Sequence, residues 1–159
     1  MKRITTLAAV TAFALLQGCA SAPAPRNVTD TAAATPQLST LNKLIAEAGL
    51  ADTLRGPGPY TVFAPSDEAF KAVPAKTLAE LSANKELLKS VLAYHVLLGK
   101  VSAAQVQNGN AKTLQGASLA LAKAGGYVTV EDAMVTQADV PASNGVVHVI
   151  DRVLMPPKK

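Results

Sequence analysis

The sequence lacks tryptophan, and aromatic residues make up only 4% of it, although 49% of its residues are hydrophobic. A core of this composition has to be built mainly from alanine, valine and leucine. The shortage of aromatic rings also argues against a surface that stacks nucleic-acid bases or sugars. The formal net charge is only +4 and the basic residues are scattered, so a polyanionic partner is not predicted either.

Residues that form disulfides or bind metals are also scarce. Cys19 is the single cysteine, which excludes an internal disulfide and a metal site made of several cysteines. The two histidines, His95 and His148, do not have a metal-binding spacing such as H-x-x-x-H. The glycines within residues 55–59 (RGPGP) do not have the spacing of a phosphate-binding loop. We therefore expect neither a metal nor a cofactor.

The start of the chain has the features of a bacterial signal peptide. A short basic start (MKR) precedes an uncharged apolar run over residues 4–16, which is too short to span a bilayer. The tetrapeptide LQGC that ends at Cys19 resembles a lipoprotein cleavage site, and Ala20 after the cysteine favours the outer membrane. We expect a signal peptide over residues 1–18 and a lipid on Cys19. The alternative is an ordinary signal cleaved near residues 20–22, which gives a soluble secreted or periplasmic protein.

The rest of the chain has room for one domain. Residues 20–36 contain three prolines together with alanines and threonines, and they offer little to bury. We predict a lipidated N-terminus and flexible tether over residues 19–37, a domain over residues 38–157 and a basic tail at residues 158–159.

Helical patterns dominate the first half of this domain. Ser39 suits the N-cap of a helix that runs to Ala48. Ser66 is followed by two acids, which is typical of a helix start, and Asn84 can cap a further helix. The elements predicted here are a helix over residues 39–48, a strand at Tyr60–Ala64, a helix after Ser66, and helices at Pro74–Leu81 and Lys85–Ala93.

Short apolar runs separated by turn residues dominate the second half. Dipeptides such as Gly125-Gly126 punctuate these runs at intervals near ten residues. This spacing is typical of a sandwich or barrel, so the chain is predicted to be α+β with a β-rich core. The candidate strands are Lys100–Val101, Ala111–Leu114, Ser118–Ala122, Tyr127–Val130, Met134–Val140 and Val146–Leu154.

The last stretch of the domain, residues 142–157 (ASNGVVHVIDRVLMPP), is the most strongly patterned. Asn144-Gly145 suits a tight turn, and the β-branched run after it predicts a strand that crosses the core. Two prolines then end the pattern, because proline cannot donate to a strand ladder.

Three segments of the chain resemble the fasciclin domain family. The stretch just described resembles the C-terminal signature of that family, and YTVFAPSDEAF at residues 60–70 resembles its N-terminal signature. VLAYHVLLGKV at residues 91–101 is similar to its central Tyr-His segment. The three occur in the family's order over residues 38–157. The resemblance implies a wedge-shaped β-sandwich edged by short helices.

An enzyme is not predicted from the reactive side chains. Ser66 and Ser143 occupy turn-like positions, but the sequence has no G-x-S-x-G elbow. Asp67 and Glu68 fit a helix start better than a catalytic pair, because neighbours in sequence point apart on a helix. His95 lies inside an apolar run, which favours a buried hydrogen-bonding role, and its replacement by alanine is expected to cost roughly 1 to 3 kcal/mol.

The fasciclin resemblance also implies residues that contact partners. In animal fasciclin domains an Asp-Ile pair before the C-terminal signature and the Tyr-His segment are implicated in integrin-dependent adhesion. The matching positions here are Asp139-Val140 and Tyr94-His95. The alternative is structural: Asp139 closes a turn before Pro141, and Tyr94 and His95 pack in the core.

Taken together, these features predict a non-enzymatic, monomeric adhesion or interaction module. We expect it to be anchored at the cell envelope by its N-terminal lipid and to bind proteins or polysaccharide, but not nucleic acid. A structural or stress-linked envelope lipoprotein without an adhesive role is the first alternative, and a hydrolase is the second.

Overall fold

The computed structural model describes residues 26–157, which form six α-helices, one 3₁₀ turn and seven strands. The predicted signal peptide, Cys19 and the basic tail at residues 158–159 lie outside the described residues. The helical elements are α1 Val28–Ala34, the 3₁₀ turn Pro36–Leu38, α2 Ser39–Glu47, α3 Ala51–Leu54, α4 Asp67–Ala72, α5 Ala75–Ala83 and α6 Lys85–Tyr94.

The seven strands form one mixed sheet in the order β2-β1-β7-β6-β5-β4-β3. Only β1 and β7 pair in parallel, and every other neighbouring pair in the described sheet is antiparallel. The strands are β1 Tyr60–Pro65, β2 Val96–Leu98, β3 Gly109–Lys112, β4 Ser118–Ala124, β5 Tyr127–Val130, β6 Ala133–Ala142 and β7 Gly145–Ile150.

Strands β1 and β7 are covered on both faces. Val62 and Val147 belong to a core shared with the helices, whereas Phe63 and Ile150 belong to a second core shared with β4 and β5. Every residue of β7 is buried. A strand that is buried on both sides has a nearly continuous apolar sequence, which explains the pattern of the C-terminal stretch. The prediction that this strand crosses the core is confirmed.

The sheet curls until its two edge strands approach each other. Leu97 in β2 forms an isolated bridge with Thr113, just after β3. The backbone N–H of Leu114 also donates to the carbonyl of Val96 at 2.7 Å. The second core fills the space between the two halves of the curled sheet. The predicted α+β, β-rich, wedge-shaped sandwich edged by short helices is confirmed.

The prediction of a flexible tether up to residue 37 is wrong for its described part. Helix α1 occupies Val28–Ala34, and both Val28 and Ala32 are buried in the helical core. Asn27 caps this helix by accepting the N–H of Asp30 at 2.9 Å. The packed part of the chain therefore begins about ten residues earlier than predicted, because helix α1 buries only small side chains that a hydrophobicity pattern does not reveal.

Asn144 joins four parts of the domain at the turn between β6 and β7. Its side-chain oxygen accepts the N–H of Val28 at 2.9 Å. Its amide nitrogen donates to the carbonyls of Leu54 and Gly56 at 2.7 and 2.8 Å. One half-buried amide thus holds α1 and the end of α3 against the sheet, and all of its bonds go to backbone groups.

Gly145 is required by close packing and not by an unusual backbone angle. It lies opposite Tyr60 in the parallel pair of strands, and a Cβ at this position would come within 1.9 Å of the Tyr60 carbonyl oxygen. The predicted turn is present, but it consists of Ser143 and Asn144, and Gly145 already belongs to β7.

Several predicted strands have other bounds in the structure, and two of them differ most. The predicted strand at Val146–Leu154 ends at Ile150, because its neighbour β1 ends at Pro65 and leaves no ladder to continue. The predicted strand at Lys100–Val101 does not form, since the N–H of Val101 is bound by the Thr61 hydroxyl instead of a neighbouring strand.

The start of α2 also differs from the prediction. Leu38 occupies the N-cap position, and Ser39 is the first residue of the helix. The Ser39 hydroxyl donates to Asp67, which also accepts the N–H of Thr40, both at 2.8 Å. Burial alone would raise the pKa of Asp67, but the hydrogen bonds from Thr40 and Ser39 outweigh it and hold the pKa below its usual value. Asp67 therefore caps α2 from a neighbouring helix.

Candidate interaction site at the β6 bulge

Strand β6 is irregular where it carries the predicted binding residues. Its pairing with β7 shifts register between Val135 and Gln137 and again between Gln137 and Val140. Residues 136–139 are all exposed, and Asp139 has a positive φ of 54°. A bulge of this kind turns side chains out of the regular ladder, and aspartate is among the few residues that tolerate this backbone region. The bulge therefore presents Asp139 to solvent.

The buried ring of His148 is hydrogen-bonded to the backbone of the bulge. The N–H of Asp139 donates to Nδ1 of His148 at 3.1 Å, so Nδ1 is the acceptor nitrogen. The other ring nitrogen, Nε2, carries the proton and donates to the carbonyl of Val101 at 2.8 Å. The ring is stacked on Phe63 with a centroid distance of 5.5 Å. His148 is only 1% exposed, so it is a fixed connection between the bulge and the loop that contains Val101.

The side chain of Asp139 makes a second connection to the same loop. Its Oδ1 accepts the N–H of Ala103 at 2.8 Å. Backbone and side chain of Asp139 are thus both bonded, yet the residue remains exposed. The geometry fixes a carboxylate in one orientation at the surface.

Val140, the other half of the predicted pair, lies in the strand proper. It pairs with Val147 and packs, half-buried, against the helical core. The two adjacent residues therefore differ in role: Asp139 faces solvent, and Val140 contributes mainly to packing.

Tyr94 is an internal residue. Its ring is 0% exposed, and its hydroxyl donates to the carboxylate of Glu131 and lies 3.3 Å from the carbonyl of Ser118. Burial raises the pKa of Tyr94 well above its usual value, and the neighbouring Glu131 carboxylate raises it further. Tyr94 thus connects the end of α6 to β4 and to the turn before β6.

His95 is internal as well. It is 2% exposed, its Nδ1 donates to the carbonyl of Val91 at 2.8 Å, and its Nε2 accepts the N–H of Leu154 at 3.0 Å. Burial lowers the pKa of His95 to about 4, although the bond to Val91 acts in the opposite direction. The imidazole is therefore neutral at pH 7, which agrees with the expected role as a buried hydrogen-bonding residue.

The four residues suggested by the resemblance do not form one surface. Asp139 bonds to His148 and Ala103, whereas Tyr94 bonds to a different set of groups on β4 and the β5–β6 turn. The side chains of Tyr94 and His95 are both buried in the folded domain, and a contact of either residue with a partner stays a prediction. His148 was missed as a positioning residue, since only the tertiary fold reveals that its ring lies beneath the bulge.

The described residues contain no assembled hydrolytic site. Both nitrogens of each histidine are bonded to backbone groups, which leaves neither free to act as a base for a serine. The Ser66 hydroxyl accepts the N–H of Ala69 as a helix cap. Between residues 26 and 157, no three His, Cys, Asp or Glu side chains are arranged to hold a metal ion.

A separate apolar groove of about 640 Å³ lies between the helices α4 to α6 and the segment after β7. It is lined by residues such as Leu87, Val91 and Met155, and it does not include the β6 bulge. Within the described part of the chain, none of the helices has the length and hydrophobicity needed to cross a membrane.

Comparison with known proteins agrees with this fold. The model of the Fasciclin domain family matches residues 36–156. Protein sll1483 of Synechocystis sp. is 46% identical over 132 residues, which cover 82% of this chain and 73% of that protein. The immunogenic protein MPB70 of Mycobacterium bovis is 43% identical over 127 residues, which cover 77% of this chain and 65% of that protein.

Two further comparisons extend this picture. The cell surface glycolipoprotein MPB83 of Mycobacterium bovis is 42% identical over 127 residues, covering 77% of this chain and 57% of that protein. The chain thus spans less than two thirds of these two mycobacterial relatives. A solved FAS1 domain pair from the insect cell adhesion molecule Fasciclin I has the same fold, with a TM-score of 0.64 and 19% identity, over 82% of this chain and 51% of that one. The chain belongs to the fasciclin domain family.

Proposed function

We propose that this chain is a non-enzymatic adhesion or interaction module of the cell envelope. An acyl group on Cys19 anchors it to the membrane, and it binds a protein or polysaccharide partner through the surface around Asp139. Membership of the fasciclin domain family supports this proposal, as do relatives that include a cell surface glycolipoprotein and a structural neighbour from a cell adhesion molecule.

The observation that carries the proposal is the fixed, exposed carboxylate on the β6 bulge. Asp139 is held by the Ala103 N–H and by the buried ring of His148, so little conformational entropy remains to be lost when a partner binds. Surface residues that are held in an uncommon backbone region by their surroundings are frequent at binding sites.

The chemistry of this surface indicates the kind of contact it makes. Asp139 supplies an ionised hydrogen-bond acceptor, and its exposed neighbours Thr136, Gln137 and Ala138 are uncharged. Such a patch suits hydrogen-bond donors, which proteins supply as amide or basic groups and polysaccharides supply as hydroxyls.

The test is saturable binding of the purified full-length protein to envelope proteins and to matrix polysaccharides, each fractionated and titrated separately. Asp139→Asn retains the shape and the tolerance of positive φ but removes the charge. Loss of a charged hydrogen bond at the interface is expected to weaken binding about tenfold.

Asp132→Asn provides the matched control. Asp132 is an exposed aspartate in the turn between β5 and β6, away from the bulge. Equal binding by both variants and the parent would place the binding surface elsewhere. Absence of saturable binding by the folded parent would instead favour a structural envelope lipoprotein without an adhesive role.

A further inference from the structure

The described chain begins at the end of the domain where β1 and β7 start. The carbonyl of Arg26 accepts the N–H of Ser143 at 2.7 Å, next to the first residue of β7. Tyr60, the first residue of β1, lies opposite both Gly145 and Leu98. The beginnings of β1 and β7 and the end of β2 therefore meet where the chain enters the domain.

We call this region the proximal end and define it by its outward-facing residues. The N–H of Gly99 donates to the carbonyl of Pro59 at 3.0 Å, which brings the loop after β2 against the turn before β1. The side chain of Leu98 is 56% exposed, more than that of any other leucine within residues 26–157. The exposed residues of the proximal end are Arg26, Arg55, Pro57, Pro59, Leu98 and Lys100.

The length of the preceding chain decides which end an acylated Cys19 can hold near a membrane. Only residues 20–25 separate Cys19 from Arg26, and even a fully extended chain spans at most about 25 Å over this interval. Helix α1 is fixed to Asn144, so it does not lengthen the connection between Cys19 and the domain. The six residues of β7 place the opposite end of the domain roughly 20 Å further away.

The charges at the two ends of the domain also favour the proximal end as the one nearer a membrane. The proximal end carries three basic side chains, and among them Arg55 is partly balanced by Asp52, at 3.4 Å. At the opposite end, a groove of about 480 Å³ is lined by three acids, Asp67, Glu68 and Asp151, together with Lys71. A negatively charged lipid surface attracts the first arrangement and repels the second.

We propose that the proximal end rests on an anionic phospholipid surface, with Leu98 and the two prolines at the interface and the basic side chains against lipid phosphates. This inference rests on the proposed acylation of Cys19. It assigns an orientation to the anchored domain: the entry point of the chain faces the bilayer, and the segment after β7 faces away from it.

The test compares two exposed apolar residues at opposite ends of β7. Leu98→Cys and Met155→Cys are each labelled with a fluorophore in the acylated full-length protein, in which the Cys19 thiol is already blocked. Met155 is 40% exposed and lies beyond the end of β7, which makes it the matched control. The proteins are placed in phosphatidylethanolamine–phosphatidylglycerol vesicles that carry a nitroxide quencher on the lipid headgroup.

Quenching at position 98 is expected to be at least about threefold stronger than at position 155, because interfacial groups sit at headgroup depth. Replacing phosphatidylglycerol by phosphatidylcholine is expected to reduce it. Equal quenching at both positions would overturn the orientation. Quenching at position 98 that does not depend on lipid charge would overturn the assignment of an anionic surface. The mass of the N-terminal peptide separates the two proposals: a missing acyl group removes the anchor itself, whereas acylated protein with equal quenching refutes only the orientation.

Discussion

The domain contains two buried histidines whose surroundings differ in one decisive respect. Both rings accept a backbone N–H and donate to a backbone carbonyl, but with opposite nitrogens protonated. The partners of His95 are Val91 and Leu154, which are buried, whereas those of His148 are half-buried Val101 and exposed Asp139. One histidine therefore holds the interior together, and the other connects the interior to the candidate binding surface.

This difference shows why burial of the side chain alone does not define its role. An unpaired polar group deep in a core keeps its full desolvation cost, whereas water can replace a lost partner near the surface. We expect loss of His95 to affect the whole domain and loss of His148 to affect the bulge first.

The largest effect is expected for His95→Ala. The substitution removes a buried ring together with its bond to the Val91 carbonyl and leaves the Leu154 N–H without a partner, so the free energy of unfolding is expected to fall by about 4 kcal/mol at pH 7. This exceeds the loss expected from the sequence, because the structure adds a second partner and a cavity. Urea unfolding followed by circular dichroism measures it, and an unchanged midpoint would show that the ring is not structural.

The second effect is a loss of stability in mild acid. The pKa of His95 is lowered to about 4 in the folded protein against 6.5 for a free histidine, so the unfolded chain binds more protons between these values. The stabilising contribution is fully present above pH 6.5 and decreases as the pH falls, by about 3 kcal/mol at pH 4. Unfolding curves at half-unit steps of pH measure it.

The His95→Ala variant is the control for this titration. It is expected to lose the part of the pH dependence that lies between pH 6.5 and 4. The contribution of Asp67 is separable, because a carboxylate with a lowered pKa loses its stabilising effect only below its unfolded value near 3.8. An identical pH profile in the variant would assign the acid sensitivity to other groups.

His148→Ala is expected to have a smaller global effect and a larger local one. We expect a loss of about 2 kcal/mol in the free energy of unfolding, because water can reach the groups that the ring leaves unpaired. Amide hydrogen exchange at Asp139 and Ala103 is expected to accelerate more than exchange in β1. If exchange accelerates equally throughout the domain, the bulge is not held separately by His148.

Tyr94→Phe is expected to give the smallest change. It retains the buried ring and removes one hydrogen bond to Glu131, whose exposed carboxylate can be hydrated instead, so the expected loss is about 1 kcal/mol. Partner binding is expected to be unchanged in the titration that compares Asp139→Asn with Asp132→Asn. A Tyr94→Phe variant that is stable but no longer binds would restore the contact role suggested by the fasciclin resemblance.

Much of the fold follows from local sequence patterns. Tyr127–Val130 forms a strand with the predicted bounds, and Asn84 caps α6 by accepting the N–H of Leu87 at 3.1 Å. The cap at Ser66 is also confirmed. These features depend on a few neighbouring residues, so the signal lies within the segment itself.

The failures occur where a distant segment decides the outcome. Helix α1 was predicted as a tether because its sequence is rich in alanine and threonine, but Val28 is bound by Asn144, which lies 116 residues later. The predicted C-terminal strand extended to Leu154, but β7 ends at Ile150, where the neighbouring strand ends. The local pattern shows neither that β1 ends at Pro65 nor that Asn144 binds the start of α1.

The family, the class of fold and the candidate residues follow from the sequence alone, because they depend on local propensity and on motif order. Where Asp139, Tyr94 and His95 lie, and which groups they bond to, depends on the tertiary structure. A side chain's exposure and its hydrogen-bond partners depend on which strands lie side by side, and β6, β7 and the loop after β2 meet only in the folded domain. That meeting holds Asp139 as a fixed surface carboxylate, whereas Tyr94 is bonded to β4 and His95 to the segment after β7 in the interior.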